Sequence, residues 1–195
     1  MYFQRDYILR MIEMLGEFMR EILDLARDAD AQAELDEVSR KASGMPLKLL
    51  KTAGVPTLES ILSPEQRYLC AELLLLSAQV DARTRPDAET APTRAQALML
   101  FCTLQSPDFV PRACSRARMV MEPMLDALAP QELLALAGLF ERGGDYAAAE
   151  DALYAAGDAP ARLAFYRRLL SLDDGALCAG NLPRSEILEA AARLE

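Results

Sequence analysis

The chain contains no histidine and no tryptophan, and aromatic residues make up only 6% of its 195 residues. Without imidazole groups, Ser-His-Asp and Cys-His catalysis and histidine-ligated zinc are excluded. β-branched residues are sparse, and no run alternates in the manner of a half-buried strand. Apolar residues nevertheless reach 52%, and they are dominated by Ala and Leu, which favour helix. The composition therefore predicts an all-α protein.

Cysteine is also scarce, and no two of the four cysteines are spaced as Cys-x-x-Cys. Because unpaired cysteines behave as small apolar core residues, we expect buried free thiols and a reducing compartment. The acidic segment from Asp28 lacks the glycine that a calcium loop needs at its sixth position. No glycine-rich phosphate loop or nucleophile elbow is present. We therefore expect no metal, no cofactor and no catalytic residue. The four cysteines are Cys70, Cys102, Cys114 and Cys178.

Positive charge is in the minority, since the net charge is −9. An acidic protein repels nucleic acid on average, so no nucleic-acid partner is expected. Long apolar runs are missing as well: the run Leu73–Leu76 is far too short to cross a bilayer. Charged residues interrupt the N-terminus where a signal peptide would be apolar. These features predict a soluble, cytoplasmic protein with no membrane partner.

The first part of the chain has the pattern of one long amphipathic helix, from Arg5 to about Ala29. Packing of its apolar stripe against the rest of the chain is one interpretation, and a homodimer seam is the second because the stripe spans nearly three heptads. Binding to a membrane surface is a third, which the many carboxylates of the polar face disfavour. The stripe consists of Ile8, Met11, Leu15, Phe18, Ile22 and Leu25.

Several helix boundaries can be predicted from local signals. Ser63-Pro64-Glu65-Gln66 has the residues of a capping box that opens a helix. The polar segment Asp81–Thr93 is predicted to be an exposed loop. Pro123 is predicted to kink a helix that extends to about Leu128. We expect two domains, an N-terminal helical segment at residues 1–62 and a helical body at residues 63–195.

The pattern in residues 133–156, LLALAGLFERGGDYAAAEDALYAA, has apolar or small residues where two antiparallel helices must touch. Leu136, Phe140, Ala149, Leu153 and Ala156 fall on the consensus positions of a tetratricopeptide repeat, which this segment resembles. A looser echo lies 36 or 37 residues upstream, close to the usual period of ~34 residues. The resemblance implies helical hairpins in an α-solenoid that follows the N-terminal helical extension.

Tetratricopeptide repeats bind proteins or peptides, so the resemblance implies a binding groove with Gln131, Leu134, Gly138 and Glu141 on the groove-facing helix. None of these residues supplies the Lys, Asn and Arg clamp with which some members hold a terminal carboxylate. The predicted function is thus a non-catalytic protein- or peptide-binding adaptor or regulatory module. An enzyme that uses carboxylates or arginines in an interhelical cleft is one alternative. A structural oligomer built through the N-terminal helix is another.

A second resemblance concerns the opening, MYFQRDYILRMIEMLGEFMREI, and the later GMPL. Both are similar to an uncharacterised family from Gram-positive, clostridia-like bacteria that shares an all-helical body. This resemblance covers most of the chain and implies no activity.

Overall fold

The computed structural model of the chain describes Arg10, Ile12, residues 28–85 and residues 89–194. Within these ranges every regular element is a helix and no strand occurs, so the predicted all-α class is confirmed. The backbone divides into two compact units, Met1–Phe109 and Val110–Glu195. The expected domains at residues 1–62 and 63–195 stay a prediction.

The first unit has five described helices, and the longest of them forms its centre. The leucines at 73–76 are all buried, and this helix, α4, packs against α1 and α5. It begins as predicted: Ser63 Oγ accepts the Gln66 N–H while the Gln66 side chain accepts the Ser63 N–H. The helices are α1 (Asp28–Ser43), α2 (Leu47–Thr52), α3 (Val55–Ile61), α4 (Pro64–Thr84) and α5 (Ala91–Cys102).

The loop predicted at Asp81–Thr93 is wrong at both ends, because α4 continues to Thr84 and α5 already begins at Ala91. Asp81 accepts hydrogen bonds from Lys51 Nζ at 2.8 Å and from Gln32 Nε2 at 3.1 Å. These contacts with α2 and α1 hold Asp81 in place near the end of α4.

The second unit is a succession of shorter helices. The helix predicted to run to about Leu128 with a kink at Pro123 is instead an α-helix that ends at Met121, followed by a 3₁₀-helix. Proline has no N–H and clashes with the preceding turn, so the α-helix stops rather than bends. The elements are α6 (Val110–Met121), the 3₁₀-helix (Glu122–Ala127), α7 (Pro130–Gly143), α8 (Tyr146–Ala155), α9 (Ala159–Leu169), α10 (Asp174–Ala179) and α11 (Arg184–Ala192).

All four cysteines are free thiols, as expected, but they are not all buried. Burial raises the pKa of Cys70 to about 12 and that of Cys114 to about 11. Cys102 is half-buried, and Cys178 is exposed. Cys178 lies on α10, a helix of only six residues that buries Leu177. So short a helix cannot also shield Cys178, and the prediction of a buried thiol is wrong there.

The predicted seam of the N-terminal helix lies outside the described residues, and the homodimer contact stays a prediction. The seam residues concerned are Ile8, Met11, Leu15, Phe18, Ile22 and Leu25. Ile12, which flanks that stripe, is described and is buried. Among the helices in the described ranges, none combines the length and the apolarity needed to cross a bilayer.

Candidate functional site

Helices α7 and α8 are joined by two residues and pack against each other. Gly144 adopts a left-handed conformation with φ 74°, which a side chain would strain. The Asp145 N–H then donates to Phe140 O at 3.0 Å and satisfies a carbonyl at the end of α7. The Asp145 carboxylate in turn accepts the Ala148 N–H at 3.3 Å and caps α8. The Gly144-Asp145 pair therefore reverses the chain within two residues.

Alanines line the face of α8 that is buried. Ala148, Ala149 and Ala152 are all buried, and Ala149 has no exposed surface. On α7 the buried residues include Leu136 and Phe140. Side chains as small as alanine allow two helices to approach closely. The hairpin thus buries large residues of α7 together with alanines of α8.

The four residues predicted to face a groove lie on the opposite, accessible side of α7. Gln131 is exposed, and Leu134, Gly138 and Glu141 are half-buried. Their spacing of three and four residues places them on one face of the helix. We call these four residues the α7 strip. The structure thus brings the four together on one helix, and whether they bind a partner stays a prediction.

Two arginines that sequence reasoning did not select border the α7 strip. Arg168 on α9 donates from Nε and Nη2 to the Glu141 carboxylate, at 2.8 and 2.7 Å. This bidentate pair joins α7 to α9, and its hydrogen bond raises the pKa of Arg168. Arg142 extends along the helix, because a Cβ built at Gly138 would lie 3.4 Å from its Nη1. The strip is therefore charged at its C-terminal end, and the Arg142 guanidinium lies beside Gly138 in its middle.

Helices α8 and α9 carry a second set of polar contacts. The Tyr166 hydroxyl donates to the Glu150 carboxylate. Burial, and then the bond to this carboxylate, raises the pKa of Tyr166. Glu150 is half-buried, and a buried tyrosine from the next helix reaches it. Arg162 lies over the ring of Tyr154, with Cζ 4.9 Å from the ring centroid.

The first unit contains buried polar groups, and the best described of them are paired. Burial raises the pKa of Asp81, but Lys51 and Arg85 outweigh it, so the net pKa is lowered. Glu72 is buried and accepts the Tyr68 hydroxyl at 3.3 Å. In the described residues, no three Cys, Asp or Glu side chains are arranged to hold a metal ion.

The fold and these contacts define a protein that is all-helical over its described residues, with a helical hairpin that leaves one side of α7 accessible. Over residues 2–195 the chain matches a family described as a family of unknown function (DUF6483), and it belongs to that family. This agrees with the resemblance of the opening segment to an uncharacterised family, and it assigns no activity. Comparisons with curated proteins and with solved structures gave no match.

Proposed function

We propose that the chain is a non-catalytic protein- or peptide-binding module. In this proposal α7 and α8 are a tetratricopeptide-like hairpin, α9 begins the next hairpin of a solenoid, and the α7 strip is the floor of the groove. Cellular partners of such a module are proteins or peptides in the cytoplasm.

The observation that carries the proposal is the one-sided exposure of α7. Its neighbours Leu133, Leu136 and Phe140 are buried, while the α7 strip remains accessible along three turns. Gly138 lies in the middle of the strip, and the far end of the flexible Arg142 side chain lies beside it. A helix with one sealed face and one open face of mixed apolar and polar character is suited to hold a peptide.

The connections between helices support a repeat scaffold. Two residues join α7 to α8 and three join α8 to α9, and each consecutive pair is packed. In helical repeat proteins such stacking creates an extended concave surface. The Glu141–Arg168 pair links α7 to α9, so it would set the spacing of the two helices that line the groove.

The enzyme alternative has less support. Catalytic carboxylates need a shielded cleft that separates their pKa values, whereas Glu141, Glu150 and Asp81 are each held by a partner from another helix. The structural-oligomer alternative concerns the N-terminal stripe, which lies outside the described residues.

The proposal is tested by comparing two variants that change the net charge equally. Leu134→Arg places a long cation in the middle of the α7 strip, and Asp151→Asn removes a carboxylate from the exposed side of α8. Peptides selected from a displayed random library on the wild-type chain should bind Asp151→Asn with unchanged affinity. We expect Leu134→Arg to lose this binding, because the added side chain occupies the strip.

Circular dichroism and thermal unfolding of both variants should match the wild type, since neither position is fully buried. Peptides that bind Leu134→Arg as well as they bind the wild type would place recognition elsewhere and contradict the proposed groove. Failure of the library to yield any saturable binder would contradict the peptide-binding function itself.

A further inference from the structure

Two side chains at the junction of α8 and α9 take no part in the α7 strip. Tyr154, near the end of α8, is an apolar side chain that remains 72% exposed. Arg162, in the second turn of α9, covers one face of its ring at 4.9 Å. The three residues between the helices bring the pair together. Large aromatic surface and a guanidinium thus form one exposed platform.

Several other arginines of the second unit are paired with acidic side chains. Arg168 has Glu141, and Arg118 has Asp145 at 3.0 Å. The Arg162 guanidinium makes no hydrogen bond or ion pair with any residue of the described ranges, and its buried Nε is left without a partner.

Two acids of the same helix pair have partners of their own, and a third is exposed. Glu150 accepts the Tyr166 hydroxyl. Asp158 caps α9 by accepting the Ala161 N–H at 2.8 Å. Asp151 is exposed on α8. The positive charge of Arg162 is therefore not matched by an ion pair within its own surroundings.

We propose that Arg162 and Tyr154 bind a carboxylate side chain of an acidic peptide segment in a partner protein. The planar guanidinium matches a carboxylate in two parallel hydrogen bonds. The tyrosine ring shields one side of this pair from water and offers apolar contact to the flanking peptide. Tyr and Arg are the residue types that dominate binding energy at protein interfaces.

A nucleic-acid ligand fits this platform less well. Binding to a phosphate backbone rests on several cations in a row, whereas this platform offers a single arginine on a chain of net charge −9. The platform lies on α8 and α9, so this inference goes beyond the proposed α7 groove and does not depend on it.

The test follows the Nε–Hε signal of Arg162 by nuclear magnetic resonance, assigned through its loss in Arg162→Gln. The probe is a capped peptide whose only charges are glutamate side chains, and its reference is the same peptide with glutamine. We expect a saturable shift with the glutamate peptide alone. Tyr154→Ala should weaken binding about two- to fivefold, the value of one exposed cation–π contact.

Two control variants isolate the platform. Arg112→Gln removes an exposed arginine of α6, and Leu134→Arg blocks the α7 strip. Both should bind the glutamate peptide with wild-type affinity, and loss in Leu134→Arg would mean that the peptide enters the groove instead. No shift, an equal shift with the glutamine peptide, or a shift with inorganic phosphate alone would each overturn the proposal. Because Tyr154 is exposed, Tyr154→Ala keeps the test decisive should Arg162→Gln fail to fold.

Discussion

Helix α4 in the first unit and helix α7 in the second are both rich in leucine, yet they use it in opposite ways. Positions 68–78 of α4 are buried without interruption, so no side of this segment is left for a ligand. On α7 the buried positions alternate with the accessible α7 strip. A helix buried all round serves the core, whereas a helix buried on one side presents a surface. This contrast places α4 in the core, and it supports the recognition role that we propose for α7.

The largest expected effect comes from the core helix. Leu74 has no exposed surface, and Leu74→Ala should lower the free energy of unfolding by about 2–5 kcal/mol through lost contacts and a cavity. Leu134→Ala on the α7 strip should cost far less, because this side chain is already partly in water. Urea denaturation of both variants gives the comparison. Equal losses at the two positions would remove the distinction between the helices.

The next effect concerns the closeness of α7 and α8. Ala149 is fully buried on a helix that packs against α7, so Ala149→Leu should cost about 1–3 kcal/mol by overpacking. Ala155→Leu, at an exposed position of the same helix, is the matched control and should leave stability nearly unchanged. Thermal unfolding followed by circular dichroism measures both. An unchanged midpoint of thermal unfolding for Ala149→Leu would show that the hairpin accommodates a larger side chain at this position.

A local signal predicted the start of α4, whereas long-range partners determine where this helix ends. The capping box at Ser63 acts within one turn, so the start of α4 was readable from the sequence. The end of α4 depends on Asp81 bonds to Gln32 and Lys51. Gln32 and Lys51 lie 49 and 30 residues from Asp81 along the chain, so no local sequence pattern predicts these contacts.

The candidate site shows the same division. The residues of the α7 strip were taken from the resemblance to a tetratricopeptide repeat, and helical spacing accounts for their common face on α7. Arg168 reaches Glu141 from 27 residues away, and the stacking of Arg162 on Tyr154 depends on how α9 returns along α8. The position of Tyr154 near the end of a helix is a local signal that could have identified it, but no such signal identifies its partner Arg162.

In the first unit, the contribution of Asp81 to the free energy of unfolding is expected to depend on pH. The pKa of Asp81 is lowered below its ordinary 3.8 in the folded chain. The unfolded chain therefore takes up this proton more readily, and the stabilisation is present above pH 3.8 and is lost as the pH falls through the folded-state pKa. Asp81→Asn should be less stable than the wild type at neutral pH, and the difference should narrow on acidification.

Urea unfolding from about pH 6 to about pH 3 measures that difference. Glu59→Gln serves as a control, because the Glu59 side chain is exposed and its contact with Arg67 is long, at 3.5 Å. A difference between Asp81→Asn and the wild type that stays constant with pH would show that the Asp81 bonds act through geometry and not through charge.

The smallest expected effect lies at the border of the α7 strip. Glu141→Gln keeps a hydrogen-bond acceptor but removes the charge that faces Arg168, whose side chain is 57% exposed. Ion pairs of this kind contribute about 0–1 kcal/mol, and salt weakens them. Global stability should therefore barely change, while hydrogen exchange at the C-terminal end of α9 should accelerate because one of its ties to α7 is weakened. Glu189→Gln, within the exposed Glu189–Arg193 pair of α11, joins no two helices and should leave exchange in α9 unaltered. If Glu141→Gln instead unfolds the chain as strongly as Leu74→Ala, the pair belongs to the core, and α7 is no more a surface helix than α4.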